Sequence, residues 1–436
     1  MTLTQKASDL GLRYFLVSYS DLMGTPRAKL VPTAAIREIG EAGAAFAGFA
    51  SWLDLTPADP DVFAIPDPDS LIPLPWKKEV GWVASDLWMN GRPLEQAPRN
   101  VLKRSLARAA DLGYELKTGV ECEFFLLTPD GEQIGDPQDS QPKPCYDQLA
   151  LVRRYDLIAE ICDAILDLGW EPYQNDHEDA NGQFEINWKY STALQTADRQ
   201  TFFKYLVKSL AEKHGLRATF MPKPFAGLTG NGCHMHLSLW DRGPSGGGGK
   251  NLFGDAADPL GISELAYHFI GGVLHSAEPL AALINPTVNS YRRTRAPITA
   301  SGSTWSPNTI SYAGNNRTHM IRIPDAGRME LRLVDGAANP YLAAAAILEA
   351  GLDGIEHRRH PGPPMDFDVY QQPRTESLRQ LPDNLLDALR ALEGSAILRE
   401  RLGTSFVQSY LKLKRAEWQD YSRHISAWER ERTLDC

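Results

Sequence analysis

The feature that most constrains this chain is a set of acidic and histidine side chains carried on short, strand-like segments. The segments span residues 120–124, 177–178, 182–185, 234–236 and 328–332. Side chains two positions apart on a strand share a face, so the polar residues of these segments form one face and the apolar residues the other. An apolar core does not accept five glutamates without compensation. The pattern therefore predicts strands that converge on a shared polar site.

The residues on these polar faces have the chemistry of a divalent-cation site. Glu121 and Glu123 share a face, and their Cα atoms should lie roughly 6.5 Å apart, a separation that serves two adjacent ions. Carboxylate and imidazole ligands suit Mg²⁺ or Mn²⁺, with waters retained for substrate phosphates. Taken one at a time, the segments could also be charged sheet edges, a charged loop or a surface histidine pair. The candidate ligands are Glu121, Glu123, Glu178, Glu185, His234 and Glu330.

A cluster of arginines accompanies the last of these segments. Arg328 and Arg332 share a strand face with Glu330 and flank it. Such a group could be a cross-strand ion-pair ladder or a solvated basic face. In a chain of net charge −10, however, it favours the binding of phosphates or a substrate carboxylate. With the paired cations, it points to ATP-dependent chemistry. The arginines are Arg292, Arg293, Arg317, Arg322, Arg328 and Arg332.

Length and composition exclude several classes of protein. A chain of 436 residues favours two domains. The acidic balance lacks the basic footprint of a nucleic-acid-binding protein, and no run approaches the ~18 apolar residues of a membrane span. The five cysteines are far apart and lack metal-ligand spacing, and no secretory signal is evident at the start. We therefore expect a cytoplasmic enzyme with neither nucleic-acid nor membrane partners.

The order of strand and helix signals predicts an α+β fold. A small, mostly β domain should occupy residues 1–98, with strands at 12–20, 27–31 and 81–85, and a helix should run from about Pro98 to Gly113. The rest alternates strands and helices irregularly, which favours an antiparallel sheet over a doubly wound parallel one. Strands are predicted at 117–127, 183–188, 234–240, 319–323 and 328–334. Helices are predicted at 148–168, 197–214, 262–282 and 340–357, with more helix over the last seventy residues.

The glycine-rich run at residues 243–250 is not a phosphate-binding loop. A phosphate loop needs a glycine six residues before its lysine and a serine or threonine after it. Pro244 and Asn251 occupy those positions around Lys250. The run is interpreted as a flexible connection after the preceding strand.

Several longer motifs carry a resemblance to a known family. In order, they are Gly119-Val-Glu-Cys-Glu-Phe-Phe125, Gly182-Gln-Phe-Glu-Ile186, Gly230-Asn-Gly-Cys-His-Met-His-Leu-Ser238, Asn285-Pro-Thr-Val-Asn-Ser-Tyr-Arg-Arg293, Asn315-Asn-Arg-Thr318, Met329-Glu-Leu-Arg-Leu333 and Ala337-Ala-Asn-Pro-Tyr341. Over essentially its full length the chain resembles the glutamine synthetase superfamily, in particular its γ-glutamylmethylamide synthetase and type III glutamate–ammonia ligase branch. The resemblance implies a small N-terminal β-grasp domain at 1–98 and a larger catalytic domain at 99–436 with a curved antiparallel sheet. It also implies stacked rings of subunits, with a dodecamer favoured and active sites between neighbouring subunits.

The resemblance also assigns roles to individual residues. One metal would be held by Glu123, Glu178 and Glu185, and a second by Glu121, His234 and Glu330, within a site for two or three Mg²⁺ or Mn²⁺ ions. ATP would contact His236, Arg317, Arg322 and Arg328. Glutamate would contact Gly230, Arg293 and Arg332, and Arg317 and Arg293 would act in catalysis. The implied reaction forms γ-glutamyl phosphate from ATP and glutamate, after which an amine displaces phosphate in a site that excludes water.

Two departures from the family pattern bear on the amine. The family's ammonium pocket uses an aspartate where this chain has Ala47, and a flap glutamate where residues 285–324 contain no acidic residue. An ammonium ion needs charge pairing, whereas the methyl group of an alkylamine needs apolar surface, which Ala47, Phe49 and Trp52 would supply. We therefore predict a glutamate–amine ligase with methylamine favoured.

Other functions stay open at this point. An ammonia-using glutamine synthetase, a glutamate–polyamine ligase and an inactive regulatory relative are the alternatives within the family. From the residues alone, a two-metal hydrolase is the rival, although the arginine cluster favours a nucleotide. Tyr370 lies near the position where some relatives carry a nucleotidylated tyrosine, but an unmodified surface or packing residue is expected here.

Overall fold

The computed structural model describes residues 1–243, 249–299, 301, 304–371 and 378–436. Most of the glycine-rich run at 243–250 lies outside the described residues. The strands are β1 Tyr14–Ser20, β2 Pro26–Pro32, β3 Ala44–Phe46, β4 Val62–Pro66, β5 Ile72–Pro73, β6 Val80–Met89, β7 Arg92–Pro93, β8 Tyr114–Cys122, β9 Phe124–Leu127, β10 Pro172–His177, β11 Gln183–Trp188, β12 Ser191–Thr192, β13 Arg217–Thr219, β14 Cys233–Asp241, β15 Tyr312–Ala313, β16 Ile321–Arg322 and β17 Met329–Leu331. The helices are α1 Leu3–Leu10, α2 Ile36–Ala42, α3 Pro98–Asp111, α4 Gln148–Arg153, α5 Tyr155–Asp167, α6 Ala193–Lys213, α7 Glu264–His275, α8 Ala277–Ile284, α9 Ser290–Thr294, α10 Pro340–Glu356, α11 Leu385–Gly394, α12 Ala396–Leu402, α13 Thr404–Arg423 and α14 Ala427–Thr433.

The N-terminal strands form one twisted sheet. Its order is β2-β1-β6-β4-β3, with β5 and β7 also paired to β6. The pairing of β1 with β6 is parallel and the others are antiparallel. Phe15, Val17 and Tyr19 alternate along β1 and are buried, as a half-buried strand requires. They belong to a hydrophobic core whose members all lie between Leu3 and Ala97.

Two further sheets carry the polar segments. One has the order β12-β8-β14-β17-β16-β15 and the other the order β10-β11-β9-β13. The pairing of β15 with β16 is parallel, and the other pairs are antiparallel. Helices pack against these sheets, and α10, rich in alanine, is buried along nearly its whole length. The α+β prediction is confirmed.

The structure divides three elements that the sequence predicts as continuous. The predicted strand 117–127 is broken at Glu123, whose peptide N–H donates to the carbonyl of Gly232 as the chain passes from β8 to β9. The predicted helix 148–168 is broken at Arg154, and the predicted helix 262–282 is broken at Ser276. The break at Arg154 has no proline or glycine to mark it, so periodicity alone continues through it. The break at Ser276 is followed by Pro279, which cannot donate to the carbonyl of His275, a signal that the predicted continuous helix overlooks.

Two cysteines next to the candidate ligands face the hydrophobic core. Cys122 and Cys233 pair across β8 and β14, and both are fully buried. The amide of Gln200 donates to the Cys233 sulfur at 3.0 Å. The prediction that these thiols point away from the polar site is confirmed. Among the described residues, no helix is both long and apolar enough to cross a bilayer.

Candidate active site

Strands β8, β14 and β17 bring four of the predicted site residues together. Their register places His234 opposite Glu121, and His236 opposite Glu330. The Nδ1 atom of His234 lies 3.3 Å from one oxygen of Glu121 and 3.7 Å from one oxygen of Glu330. His236 Nε2 lies 2.9 Å from the other oxygen of Glu121. Residues separated by two hundred positions in the chain therefore face one another across neighbouring strands.

The second acidic wall comes from β10, β11 and the turn between them. Asp176 pairs with Glu185 across the two strands, and Glu178 follows β10 directly. Together with Glu121 and Glu123, these residues line one cavity, which His234 and three arginines complete. The ligand atoms approach within 4.8 Å of one another in three groups, which are Glu121-His236-Glu330, Glu121-Glu185-His234 and Asp176-Glu178-Glu185.

The crowding of buried carboxylates in the acidic wall is what a site that could hold a cation would show. Burial and the neighbouring carboxylates raise the pKa of Glu178 and of Glu185 well above the ordinary glutamate value. Buried like charges are unfavourable, and a divalent cation removes that penalty. Burial and the charge of Arg332 lower the pKa of His234, which keeps the imidazole in the neutral form that ligates metals. The donor set therefore fits hard divalent cations such as Mg²⁺ or Mn²⁺.

Hydrogen bonds fix Glu123 at the rim of this group. Its carboxylate accepts a hydrogen bond from the peptide N–H of Gly232 at 2.6 Å and from the Gln183 amide at 3.2 Å. A Cβ atom at Gly232 would lie 2.8 Å from His234 Nε2 and 3.0 Å from the Glu123 carboxylate. Only glycine leaves room for both side chains at this position.

Glu330 is held between arginines. It accepts a hydrogen bond from Arg332 at 2.5 Å and another from Arg322. Burial alone would raise the pKa of Glu330, but the charge of Arg332 holds it below its usual value. Arg317 lines the same cavity, and its carbonyl accepts a hydrogen bond from Arg332. Three of the predicted arginines therefore face the predicted metal ligands directly.

The residues predicted to bind glutamate form a buried layer beside the cavity. A Cβ atom at Gly230 would lie 2.3 Å from the carbonyl oxygen of Pro222 and 3.2 Å from Arg293. Arg293 is buried and donates to the carbonyls of Leu333 and Arg332 at 3.1 and 3.2 Å. Glycine at position 230 is thus required by the close approach of the Pro222 carbonyl.

A second cavity adjoins the first and contains the other predicted ATP residues. Glu121 lines both cavities, while His236 and Arg328 line the second. A guanidinium nitrogen of Arg328 lies 3.1 Å from His236 Nδ1, and Arg328 also pairs with Asp325. This cavity has aromatic walls, among them Tyr190 and Trp240. It offers a stacking surface beside cationic groups, which is the chemistry that a nucleotide requires.

The predicted amine-pocket residues lie elsewhere in the chain. Ala47 and Phe49 belong to the segment that follows β3, and Phe49 is 50% exposed. The described residues that line the carboxylate cavity lie between 121 and 332, so this cavity is built without them. Their role therefore stays a prediction that depends on a neighbouring subunit.

Sequence reasoning missed six residues that line the carboxylate cavity, which are Cys145, Tyr146, Gln174, Asp176, Thr229 and Trp305. Asp176 lies in a polar stretch without apolar alternation, so the sequence indicates a loop where β10 forms. Tyr146 and Trp305 also line the cavity, and their surroundings in sequence contain no strand or helix signal. The hydroxyl of Tyr370 is buried beside Thr304, in keeping with a packing residue.

Comparison with known proteins gives consistent matches. The glutamine synthetase catalytic-domain family model matches residues 95–433. A glutamine synthetase of Rhizobium leguminosarum bv. phaseoli is 58% identical over 98% of both chains. A glutamate–methylamine ligase of Methyloversatilis universalis is 41% identical over 96% of this chain and 95% of the relative. A solved structure described as a GmaS/ADP complex, GmaS being γ-glutamylmethylamide synthetase, superimposes with a TM-score of 0.96 at 60% identity and covers 100% of both chains.

Proposed function

Because this chain belongs to the glutamine synthetase family of ATP-dependent carbon–nitrogen ligases, we propose that it joins the γ-carboxylate of glutamate to a small amine, with methylamine favoured. The reaction proceeds through γ-glutamyl phosphate. The observation that carries the proposal is the meeting of Glu121, His234 and Glu330 across three strands, with arginines beside them.

The resemblance to the family assigns the proposed roles, and the proximity of the side chains supports them. Glu123, Glu178 and Glu185 would hold one divalent cation, and Glu121, His234 and Glu330 a second, with room for a third at Asp176. Bound cations supply charge neutralisation on the transferring phosphoryl group. Arg317 and Arg322 line the same cavity and stabilise the negative charge that develops on that group. The nucleotide occupies the adjoining cavity, with His236 and Arg328 beside its phosphates.

Glutamate binds on the other side of the cation cluster. The Gly230 backbone, Arg332 and Arg293 would position it with its γ-carboxylate toward ATP. The amine nitrogen then attacks the acyl carbon, a carbon–nitrogen bond forms, and phosphate leaves. Water must be excluded, because the acyl phosphate would otherwise hydrolyse.

The preference for methylamine rests on the missing acidic residues. Ala47 replaces the carboxylate of the ammonium pocket, and residues 285–324 supply no acidic flap residue. We propose that a neighbouring subunit in a stacked-ring assembly, with a dodecamer favoured, presents Ala47 and Phe49 to the site. The exposure of Phe49 and Trp52, each about half accessible, supports a subunit contact there.

The second candidate is an ammonia-using glutamine synthetase. Two rhizobial relatives that carry that name are 58% and 56% identical to this chain, which favours it. The two candidates differ only in the amine. Both require ATP, glutamate and divalent cations.

Steady-state kinetics with an amine panel test the proposal. Phosphate release is measured with purified protein, ATP, glutamate and Mg²⁺. The kcat/KM should be highest with methylamine, lower with ammonia, and lowest with a polyamine such as putrescine. A higher kcat/KM for ammonia would support the second candidate. Absence of phosphate release with every amine would reject ligase activity altogether.

A further inference from the structure

A buried aspartate outside both cavities contacts the turn that carries one of the candidate metal ligands. This turn runs from Glu178 to Gly182, between β10 and β11. Asp139 lies in the loop that follows β9 and is 5% exposed. Among the described residues, it belongs to none of the three candidate ligand groups and lines neither cavity. Its buried carboxylate therefore has a use other than direct contact with a cation or a nucleotide.

Asp139 joins the two ends of this turn. One carboxylate oxygen lies 2.7 Å from Nε2 of His177, the residue directly before the turn. The same oxygen accepts a hydrogen bond from the N–H of Gly182, at the far end of the turn, at 2.6 Å. The other oxygen accepts from the side-chain amide of Asn181 at 2.9 Å. A single carboxylate thus sets how far apart the ends of the turn lie, and Glu178 is its first residue.

The loop that carries Asp139 is itself held in place. Ile134 bridges to Leu127 at the end of β9, and Asp136 accepts a hydrogen bond from Arg153 of α4 at 2.6 Å. The loop also packs closely against the turn, because a Cβ atom at Gly182 would lie 2.2 Å from the side chain of Ile134. Asp139 therefore reaches the turn from a fixed base.

The ring of His177 transmits this contact to the acidic wall. It is fully buried and lies edge-on to Phe184, with 5.1 Å between the ring centroids. Its Nδ1 atom has no hydrogen-bond partner in the part of the chain that the structure describes, so Asp139 is the polar contact that orients the ring there. His177 directly precedes Glu178, and any rotation of its backbone moves that carboxylate.

We propose that Asp139 is a positioning residue that holds Glu178 in the geometry in which it binds one of the two divalent cations. The inference rests on the proposed function, which places a cation at Glu123, Glu178 and Glu185. Residues that hydrogen-bond the neighbourhood of a metal ligand fix its orientation and raise metal affinity. A buried charge pair is in itself a poor stabiliser, so the geometry that Asp139 imposes is its main contribution.

The test is Mn²⁺ binding measured by calorimetry without nucleotide, at a temperature at which every variant is folded. Asp139→Asn keeps the size of the side chain but removes its charge and turns an amide N–H toward a donor. This variant should weaken one class of Mn²⁺ sites about 10–100-fold. The other class, assigned to Glu121, His234 and Glu330, should stay within about twofold of the parent affinity.

Asp198→Asn is the matched control for the loss of a buried aspartate. Asp198 is also 5% exposed and accepts three hydrogen bonds, two from Arg99 and one from Tyr341. It lines neither cavity of the candidate site. We expect Asp198→Asn to lower Tm while both Mn²⁺ affinities stay within about twofold of the parent.

A double-mutant cycle with Glu178→Gln gives a readout that a merely structural role would not move. Glu178→Gln alone should weaken the same class of sites. If Asp139 acts through Glu178, Asp139→Asn should then cost less than about twofold more in the double variant. Independent losses that multiply would overturn the inference. If Asp139→Asn does not fold, Asn181→Ala removes one hydrogen bond at a half-buried position and should weaken the same class about threefold.

The outcomes separate this inference from the proposed function. Unchanged Mn²⁺ affinity in folded Asp139→Asn, or in Asn181→Ala where it replaces that variant, overturns the inference alone. An equal fall in Asp198→Asn does the same. A parent protein that binds two Mn²⁺ ions but forms no amide with any amine rejects the ligase function, and the variants still test Asp139. A parent protein that binds no Mn²⁺ rejects the cation site and this inference with it.

Discussion

The imidazole of His234 and the carboxylate of Glu121 face each other across β8 and β14, with 3.3 Å between Nδ1 and the nearer oxygen. The antiparallel register places these residues directly opposite each other. The imidazole of His236 also hydrogen-bonds Glu121. Burial alone would raise the pKa of Glu121, but the hydrogen bonds with these two imidazoles hold that pKa far below the ordinary value. A charged Glu121 beside a neutral His234 is the ligand pair that a divalent cation requires.

Loss of a single buried carboxylate should weaken cation binding. Glu185→Gln removes a charge from two of the three candidate ligand groups while keeping the size of the side chain. We expect Mn²⁺ affinity, measured by calorimetry without nucleotide, to fall roughly tenfold or more. Even the loss of a residue that only hydrogen-bonds a metal ligand typically lowers metal affinity about 10–100-fold. Glu132→Gln, at an exposed loop position, is the control. Equal affinities for the two variants would contradict the ligand assignment.

A methyl group at Gly230 should damage glutamate binding. The added Cβ would lie 2.3 Å from the Pro222 carbonyl, so the backbone proposed to contact glutamate must move. Gly230→Ala should raise the KM for glutamate at least tenfold, with the KM for ATP changed much less. Gly227→Ala is the matched control, because a Cβ there has nothing within 4 Å. A glutamate KM unchanged by Gly230→Ala would place glutamate elsewhere.

Removal of the cavity guanidinium at Arg317 should slow phosphoryl transfer. Arg317→Ala takes away a cation from the lining of the carboxylate cavity. We expect kcat to fall about 10²-fold or more, as for other groups that stabilise transition-state charge, with a smaller change in the KM for ATP. Arg92→Ala, on the exposed strand β7, should leave kcat within twofold. A rise in KM at constant kcat would assign Arg317 to ground-state binding.

Buried Glu349 should make thermal stability depend on pH. Burial raises its pKa to about 7, and its nearest cations, Arg108 and Arg401, lie 3.7 and 3.9 Å away. The folded state therefore holds a proton that the unfolded state releases near pH 4.5, so stability falls as pH rises from about 4.5 to about 7. At 1.36 kcal/mol per pH unit the loss is at most about 3 kcal/mol.

Melting curves of Glu349→Gln at a fixed scan rate test this expectation. The variant should gain a few degrees in Tm over the parent at pH 8 and little at pH 5. Glu356→Gln on the same helix should instead lower Tm at both pH 8 and pH 5, because a carboxylate with a lowered pKa stabilises the fold at every pH above its ordinary value of 4.5. Burial alone would raise the pKa of Glu356, but hydrogen bonds from Arg108 and Arg401 lower it. The same change in Tm with pH for both variants would contradict the raised pKa of Glu349.

A carboxylate restored at position 47 should move the enzyme toward ammonia. Ala47→Asp places a negative charge where the family's ammonium pocket carries one. The ratio of kcat/KM for ammonia to that for methylamine should rise severalfold. Ala58→Asp, in an exposed turn of the same N-terminal sheet region, is the control. Unchanged selectivity in Ala47→Asp would reject the pocket assignment.

The strands that carry the candidate metal ligands are well predicted from the sequence, because alternation is a local property. Glu121, His234 and Glu330 each stand on a strand whose opposite face is apolar, and that pattern survives folding. Asp176 lacks an apolar face, so its strand is visible only once β11 pairs with it. Tyr146 and Trp305 depend on positive φ angles that non-glycine residues do not signal in advance. Breaks such as that at Glu123 arise from contacts between sheets and are likewise non-local.

The most direct test of the central claim is a competition between equal concentrations of free methylamine and free ammonia. The protein, ATP, glutamate and Mg²⁺ are mixed with both amines, and the two amide products are quantified by mass spectrometry. We expect ATP-dependent γ-glutamylmethylamide in clear excess over glutamine, with both products lost in the Glu185→Gln variant. Excess glutamine would contradict the assignment of the amine, and amide formed without ATP would contradict the mechanism as a whole.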